Sequence, residues 1–462
     1  MEFCMRSIAI GALLAAFPVA AVAQTPASVD QPAVHGLVSQ VRTDRLRADI
    51  EALVGFGTRH TLSDTVSETR GVGAARRWVA REFEAISREC GGCIAVETPS
   101  AVITAPPRIP NPTEVVSVAA VQRGQTDPDR VILISAHLDS RVSDVMNATD
   151  DAPGANDDAS GVAALIEAAR VLSKEQFAAT LVYAALTGEE QSLHGATIVA
   201  NWAREQGWDV INLNNDMVSN VQGQDGNIET TRIRVFAEGT RTVETPQEAN
   251  QRRYNGGEVD SPSRNLARYI DTIADRYLTD FDVEMIYRND RYGRGGDQTG
   301  FLRAGYPAVR IVEGNENYDR QHQDLRTEDG RVYGDTIEGV NFAYLTQATR
   351  LNVATMASLA RAPAPPTGVT IAGAVQPDTT LSWEAVPGAT AYRVWWRPTT
   401  AAQWSNFRDA GNVTTFTLRG VVIDDYFFGV SAISADGYES PVVFPGAAGS
   451  FIAPPPPTPA AN

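Results

Sequence analysis

Four short stretches carry side chains able to hold a cation or move a proton. Ala136-His137-Leu138-Asp139 follows an apolar run, and Asn156-Asp157-Asp158-Ala159 stands between glycines just ahead of a helical pattern. Gly188-Glu189-Glu190 and Asn215-Asp216-Met217 follow two further apolar runs. An imidazole at a strand end is poised to ligate a metal. Asp139, two positions on and on the same side of an extended chain, could accept the proton of the other ring nitrogen. Adjacent carboxylates repel each other; a helix cap would stabilise one of them, a bound cation both. Two divalent ions roughly 3.5 to 4 Å apart, bridged by one carboxylate, would offset the repulsion and set up a shared hydroxide nucleophile. Mixed imidazole and carboxylate donors suit zinc, and manganese or cobalt could occupy the same set.

Such residues need elements that bring them to one place. Val131 to Ser135, Leu181 to Leu186 and Val210 to Leu213 are continuous apolar runs of the kind found in buried strands. Val115 to Val121, Ile233 to Ala237 and Ala308 to Val312 read as further strands. Between and around them, Val41 to Val54, Ala74 to Ile86, Val162 to Leu172, Ser192 to Glu205, Ser263 to Tyr277 and Phe342 to Leu359 show helical spacing. The alternation predicts an α/β domain, a mainly parallel mixed sheet with helices on both faces. Ligands of such sheets bind beyond the carboxyl ends of the strands, where the His, Asp-Asp, Glu-Glu and Asp groups all fall.

The chain of 462 residues, 43% hydrophobic, is long enough for one large core and a smaller one. Its net charge of -17 disfavours nucleic acid and anionic membranes. Residues 1–23 read as a signal peptide: Arg6, an apolar run from Ile8 to Phe17, then Ala21-Val22-Ala23 before Gln24. No later segment approaches the ~20 apolar residues of a membrane helix, so the expected location is periplasmic or extracellular. Cys4 leaves with the leader. Cys90 and Cys93 follow a helical pattern rather than lead one, where a redox thiol would gain from the helix dipole; a local structural disulfide is expected.

The α/β region spans 24–361, with amino-terminal helices within 36–90. Residues 362–366 form a Pro-rich linker, and beyond it short alternating stretches over 367–449, punctuated by turns, predict a small all-β sandwich. Trp383 and the run Tyr426 to Ala432 resemble a fibronectin type III domain. The sandwich could bind a polymer or an envelope component; Trp395 and Trp404 could grip a polymer or a partner surface, although packing is the commoner use of tryptophan. Residues 450–462 read as a Pro-rich, disordered tail. Deleting everything after Arg361 is expected to leave turnover of small substrates intact.

The ordered set Ser135-Ala136-His137-Leu138-Asp139-Ser140, Pro153 to Gly161, Gly188-Glu189-Glu190 and Asp216-Met217, with His322 in Tyr318-Asp319-Arg320-Gln321-His322-Gln323-Asp324, resembles the co-catalytic zinc aminopeptidases related to bacterial leucine aminopeptidase. The resemblance covers about Gly36 to Leu359. It implies the zinc exopeptidase fold and two Zn2+ ions: Asp157 bridging, His137 and Asp216 completing one site, Glu190 and His322 the other. Glu189 becomes the general base, Asp139 the group that orients His137, and Asp157-Asp158 a candidate cis peptide. The implied reaction removes the N-terminal residue from peptides with a free amine. Carboxypeptidase, dipeptidase and glutaminyl cyclase relatives share parts of the ligand set, and a non-catalytic binding module would have lost it.

Two positions depart from the family pattern. Gln298 replaces a histidine common before the last strand, which makes it a candidate for the substrate pocket. Gln321 stands where many relatives carry a tyrosine before the final histidine, so Tyr318 is a candidate substitute for carbonyl stabilisation. Arg291 and Arg294 either serve the pocket or pair with surface acids. His35, His60 and His194 are read as structural or surface residues.

Overall fold

The structure, a computed structural model, describes residues 30–454; the leader expected over 1–23 and tail residues 455–462 lie outside the described residues. Helices α1 (Pro32–Val38), α2 (Thr43–Val54) and α3 (Gly71–Glu89) open it. The last two lie where helical spacing predicts them, whereas α1 is too short to show a period. Directly after α3, Cys90 and Cys93 are joined by a disulfide, S–S 2.04 Å. Strands β1 (Ile94–Glu97), β2 (Ser100–Ala105), β3 (Ile109–Val116) and β4 (Val118–Gln122) follow. The strand expected over Val115 to Val121 is therefore two. Val116 pairs with Ser100 in a hairpin, and past Ser117 the chain enters the main sheet, where Val118 pairs with Ala185.

The alternating part then runs β5 (Asp127–His137), α4 (Ala159–Leu172), β6 (Ala179–Leu186), α5 (His194–Glu205), β7 (Asp209–Asn215) and β8 (Arg232–Phe236). It continues through α6 (Pro246–Asn255), α7 (Pro262–Tyr277), β9 (Asp282–Ile286), α8 (Gln298–Arg303), β10 (Ala308–Glu313), the small hairpin β11 (Arg326–Glu328) and β12 (Arg331–Tyr333), and α9 (Phe342–Arg361). The eight-stranded sheet has the order β1-β4-β6-β5-β7-β10-β8-β9. Its centre is parallel: β5 pairs with β6 and β7, and β7 with β10. The antiparallel pairs β1–β4, β4–β6 and β8–β10 make it mixed.

Side chains of a strand alternate between faces, and the central strands use both. Ile132, Ile134 and Ala136 of β5, with Leu181, Tyr183 and Ala185 of β6, pack into the core shared with α4, α7 and α9. Val131 and Leu133, with Val182, Ala184 and Leu186, face α5 and α8 instead. This two-sided burial explains the unbroken apolar runs. It also fixes the strand ends that carry the acidic motifs.

Beyond α9 lie two three-stranded antiparallel sheets. One contains β13 (Thr370–Ala372), β14 (Thr379–Ser382) and β17 (Thr415–Leu418); the other β15 (Ala391–Pro398), β16 (Asn406–Gly411) and β18 (Tyr426–Ile433). Leu381, Trp383 and Leu418 meet Tyr392, Val394, Trp396, Phe428 and Val430 in a common core. The Pro-rich connection is packed rather than free: Ala362, Pro363, Pro365 and Pro366 are buried. Asp260 pairs with Arg268 of α7 at 2.8 Å and with Arg397 of β15 at 2.8 and 2.9 Å, all three side chains fully enclosed.

Trp395 and Trp404 follow the packing alternative rather than standing free to grip a polymer. Trp404 Nε1 donates to Asn265 of α7, and Trp395 Nε1 to Ser431 and Glu439. The tail expected to be disordered from residue 450 instead begins docked, with Phe451 buried and Arg241 donating to the Ile452 carbonyl. No helix among the described residues is long and apolar enough to cross a membrane.

Candidate metal centre

His137 ends β5, Glu189 and Glu190 follow β6, and Asp216 follows β7, so three neighbouring parallel strands deliver their motifs to one edge. Asp157 arrives from the turn before α4, and His322 from the segment after β10. Three triads of donor atoms form there, His137 with Asp157 and Asp216, Asp157 with Glu190 and His322, and His137 with Glu189 and Glu190, each within 4.8 Å. Asp157 belongs to the first two. Its Oδ1 lies 3.0 Å from His137 Nε2 and its Oδ2 2.9 Å from His322 Nε2. His322 Nε2 is also 3.0 Å from Glu190 Oε1.

The adjacent aspartates, joined by a cis peptide, divide their work. Asp158 points into the protein, accepting from the backbone N–H of Gly161, His137 and Met217 at 2.9, 3.1 and 3.1 Å. It caps α4 and ties the ends of β5 and β7 to it. Asp157 alone faces the cluster. Its turn is held from behind by the carboxylate of Asp335, which accepts from the N–H of Asn156 and Asp157. The buried guanidinium of Arg59 donates to the carbonyls of Leu138, Pro153 and Gly154. Neither Arg59 nor Asp335 carries a local sequence signal, because each reaches the turn from a distant segment.

Asp139 does not play the part that its spacing suggests. His137 Nδ1 lies 2.9 Å from the backbone oxygen of Asp139, whereas the carboxylate is 3.8 Å away. That carboxylate instead accepts from the N–H groups of Gly188, Glu189 and Glu190 at 3.0, 3.3 and 3.1 Å, and from Thr61 Oγ1 at 2.7 Å. Asp139 therefore orients the imidazole through its main chain and builds the turn bearing the two glutamates with its side chain.

The glutamates diverge as adjacent residues in a turn do. Glu190 enters the cluster, while its Oε2 accepts from Arg141 Nε at 2.8 Å. Among the described residues the Glu189 carboxylate has no hydrogen-bond or ion-pair partner. It lies at the cleft, within 4.8 Å of donor atoms of His137 and Glu190. Burial, reinforced by the charges of Glu190 and Asp216 against the opposing pull of His137, pushes its carboxyl well above the usual range. A group so raised is suited to carrying a proton near neutral pH. Asp216 goes the other way. Against burial, Arg310 at 2.9 Å and His137 hold it down to about 2.

The donor chemistry fits a divalent metal such as zinc. Two imidazole nitrogens and carboxylate oxygens converge, one carboxylate is shared, and the other ring nitrogen of His137 is fixed by a carbonyl. His322 lacks that support, since its Nδ1 lies 2.6 Å from Arg141 Nη2.

The two pocket candidates do not reach this cleft, whose volume is about 210 Å³. Gln298 is fully buried, its Nε2 donating to the Asn289 carbonyl and to Asp290, so it supports the loop from behind. Tyr318 is half exposed and outside the lining. Gln321 lines the cleft, with Nε2 3.4 Å from Asp157 Oδ2. Arg291 and Arg294 also line it, although both pair with Glu316. His60 is buried against the Val145 carbonyl and Gln191.

Residues 117–341, which contain every strand end of the cluster, match peptidase family M28. A probable zinc metalloprotease of Leptosphaeria maculans is 44% identical over 417 residues, 89% of this chain and 96% of the relative. The chain belongs to peptidase family M28. A probable zinc metalloprotease of Pyrenophora teres f. teres is 43% identical over 418 residues, 89% of this M28 chain and 86% of the relative. Alignments of that extent run past Arg361, so they take in part of the C-terminal sheets. Among solved structures, the LapA aminopeptidase of Legionella pneumophila shares the fold, with a TM-score of 0.52 and 20% identity over 73% of this chain and 78% of that one.

Proposed function

We propose that this M28 chain is an exported di-zinc metalloaminopeptidase that hydrolyses the N-terminal bond of peptides. The observation that carries the reading is the shared Asp157, whose two oxygens face two separate histidine nitrogens. His137, Asp157 and Asp216 would hold one zinc, and Asp157, Glu190 and His322 the other. The zinc metalloprotease naming of relatives sharing over two fifths of the sequence supports that metal. Bound there, zinc would polarise the peptide carbonyl and make water a nucleophile near neutral pH.

The chain's own residues would do the rest. Glu189, open to the cleft, takes a proton from the attacking water and returns it to the leaving amine nitrogen. Asp139 keeps the glutamate turn in place, and its main-chain oxygen leaves His137 Nε2 facing the cluster. Gln321, beside Asp157, offers an amide N–H where the family pattern has a tyrosine hydroxyl. A substrate α-amine finds carboxylates and a cation at the same edge, which favours removal of the first residue. The predicted leader supports export, and the fibronectin-like sandwich is read as a docked accessory.

Purified mature protein should contain about two zinc ions per chain. It should cleave aminoacyl chromogenic substrates but not their N-acetylated counterparts, and Glu189→Ala should abolish the cleavage. Two metals with turnover only of N-blocked peptides would give a carboxypeptidase; ammonia release with cyclisation would give a glutaminyl cyclase. A chain without stoichiometric metal would be a binding module.

A further inference from the structure

Beside the acidic cluster, four arginines line the cleft: Arg108, Arg141, Arg291 and Arg294. In a chain of net charge -17 this is a local concentration of positive charge, and its carboxylate partners are shared among several arginines. One carboxylate, Glu316, serves Arg234, Arg291 and Arg294 at 2.8, 3.2 and 3.3 Å. Asp290 is likewise shared by Arg291 and Arg310. Arg108 donates to a neutral acceptor, the Glu190 carbonyl, at 2.7 Å, and no carboxylate lies within ion-pair distance of it among the described residues. Arg141 pairs with Glu190, which the function proposed above commits to a cation. Arg294 keeps 34% of its side chain exposed. Guanidinium groups with spare donors, converging on a partly closed space, recognise planar anions such as carboxylates.

We propose that the arginine wall binds a carboxylate carried by the substrate, so that the enzyme selects peptides presenting one beside the scissile bond. The inference rests on the peptidase reading of the same cleft. Two substrate groups share this chemistry, an acidic side chain and the terminal carboxylate of a dipeptide. In a site already holding four carboxylates, Asp157, Glu189, Glu190 and Asp216, the arginines also offset the repulsion that a substrate anion would meet there. Arg108 and Arg294 are specificity residues, distinct from the groups that move protons.

The test measures binding of four peptides to the zinc-loaded full chain carrying Glu189→Gln, by calorimetry. Leu-Leu-amide has no carboxylate, Leu-Leu a terminal one, and Leu-Glu-amide and Glu-Leu-amide a side-chain one on either side of the bond. At least one carboxylate peptide is expected to bind on the order of tenfold more tightly than Leu-Leu-amide. Arg294→Gln or Arg108→Gln in that background should remove the preference and leave Leu-Leu-amide unchanged. Equal affinity for all four peptides, or a preference that survives both substitutions, overturns the proposal. Turnover by the chain with Glu189 intact is read separately. Cleavage of Leu-Leu-amide without a carboxylate preference sinks this inference alone, and a carboxylate preference in binding without any cleavage sinks the peptidase reading alone.

Discussion

Arg310 Nη2 lies 2.9 Å from Asp216 Oδ2, and both side chains are buried beneath the cluster. Arg310 sits on β10 beside β7, so the parallel pairing of those strands sets this contact. The guanidinium also reaches Asp290 at 3.3 Å and the Gly295 carbonyl at 3.1 Å. It therefore fixes one oxygen of Asp216 and leaves Oδ1 facing His137. Arg310→Met should lower zinc affinity or activity roughly 10- to 100-fold, the usual cost of removing a group that supports a ligand. Metal titration beside a steady-state assay checks it; unchanged zinc affinity and activity would show that Asp216 needs no such support.

Glu189→Gln keeps the size of the side chain and removes its ability to accept a proton. The substitution should reduce kcat by about 10² to 10⁴-fold with bound metal and melting temperature little changed, because Glu189 has no structural partner among the described residues. Loss of metal alongside activity would instead make Glu189 a ligand.

Much of this site is legible in the sequence because apolar runs mark the strands and the acidic motifs follow directly at their ends. The two-sided burial of β5, β6 and β7 makes those runs continuous, so even strand order matters little to the reading. What escapes is whatever depends on contacts between distant segments. The spacing of His137 and Asp139 suggests a side-chain contact, yet the three amides of residues 188–190 capture the Asp139 carboxylate. Arg59, Asp335 and the arginine wall come from loops with no periodicity. Helix α6 buries none of its residues and so shows no apolar stripe to read.

Asp139→Ala tests that capture directly. Leaving three buried amides and Thr61 without their acceptor should cost about 1 to 3 kcal/mol per unsatisfied group at most, and should displace both glutamates. Thermal stability and activity should fall together, whereas Asp139→Asn, which retains one acceptor oxygen, should lose less of each. An alanine variant that keeps full stability would show that water replaces the carboxylate freely.

Glu238 gives a pH dependence remote from the cluster. Burial pushes its carboxyl up to about 7 against two hydrogen bonds from Thr242. The folded chain therefore holds a proton that the unfolded chain releases above its ordinary value near 4.5. Stability is greatest below that value, declines as pH rises towards 7, and stays lower above it, by about 3 kcal/mol. Glu238→Gln should raise the melting temperature at pH 8 and change it little at pH 4. An equal effect at both would mean that the carboxyl ionises normally in the fold.

The expectation that residues up to Arg361 suffice for turnover conflicts with the docked C-terminal sheets. Removing them would take Arg397 from Asp260 and uncover α7, leaving a charged group built for enclosure paired with Arg268 alone. Breaking a buried ion pair by removing one partner typically costs about 3 to 5 kcal/mol. Truncation after Arg361 should yield an insoluble or strongly destabilised chain. Arg397→Met, which keeps the sheets in place, should lower the melting temperature while leaving kcat for small substrates near that of the parent. A truncated chain that is soluble and fully active would show instead that the C-terminal sheets are a detachable accessory and that the Asp260 pairing contributes nothing to holding the active cleft together.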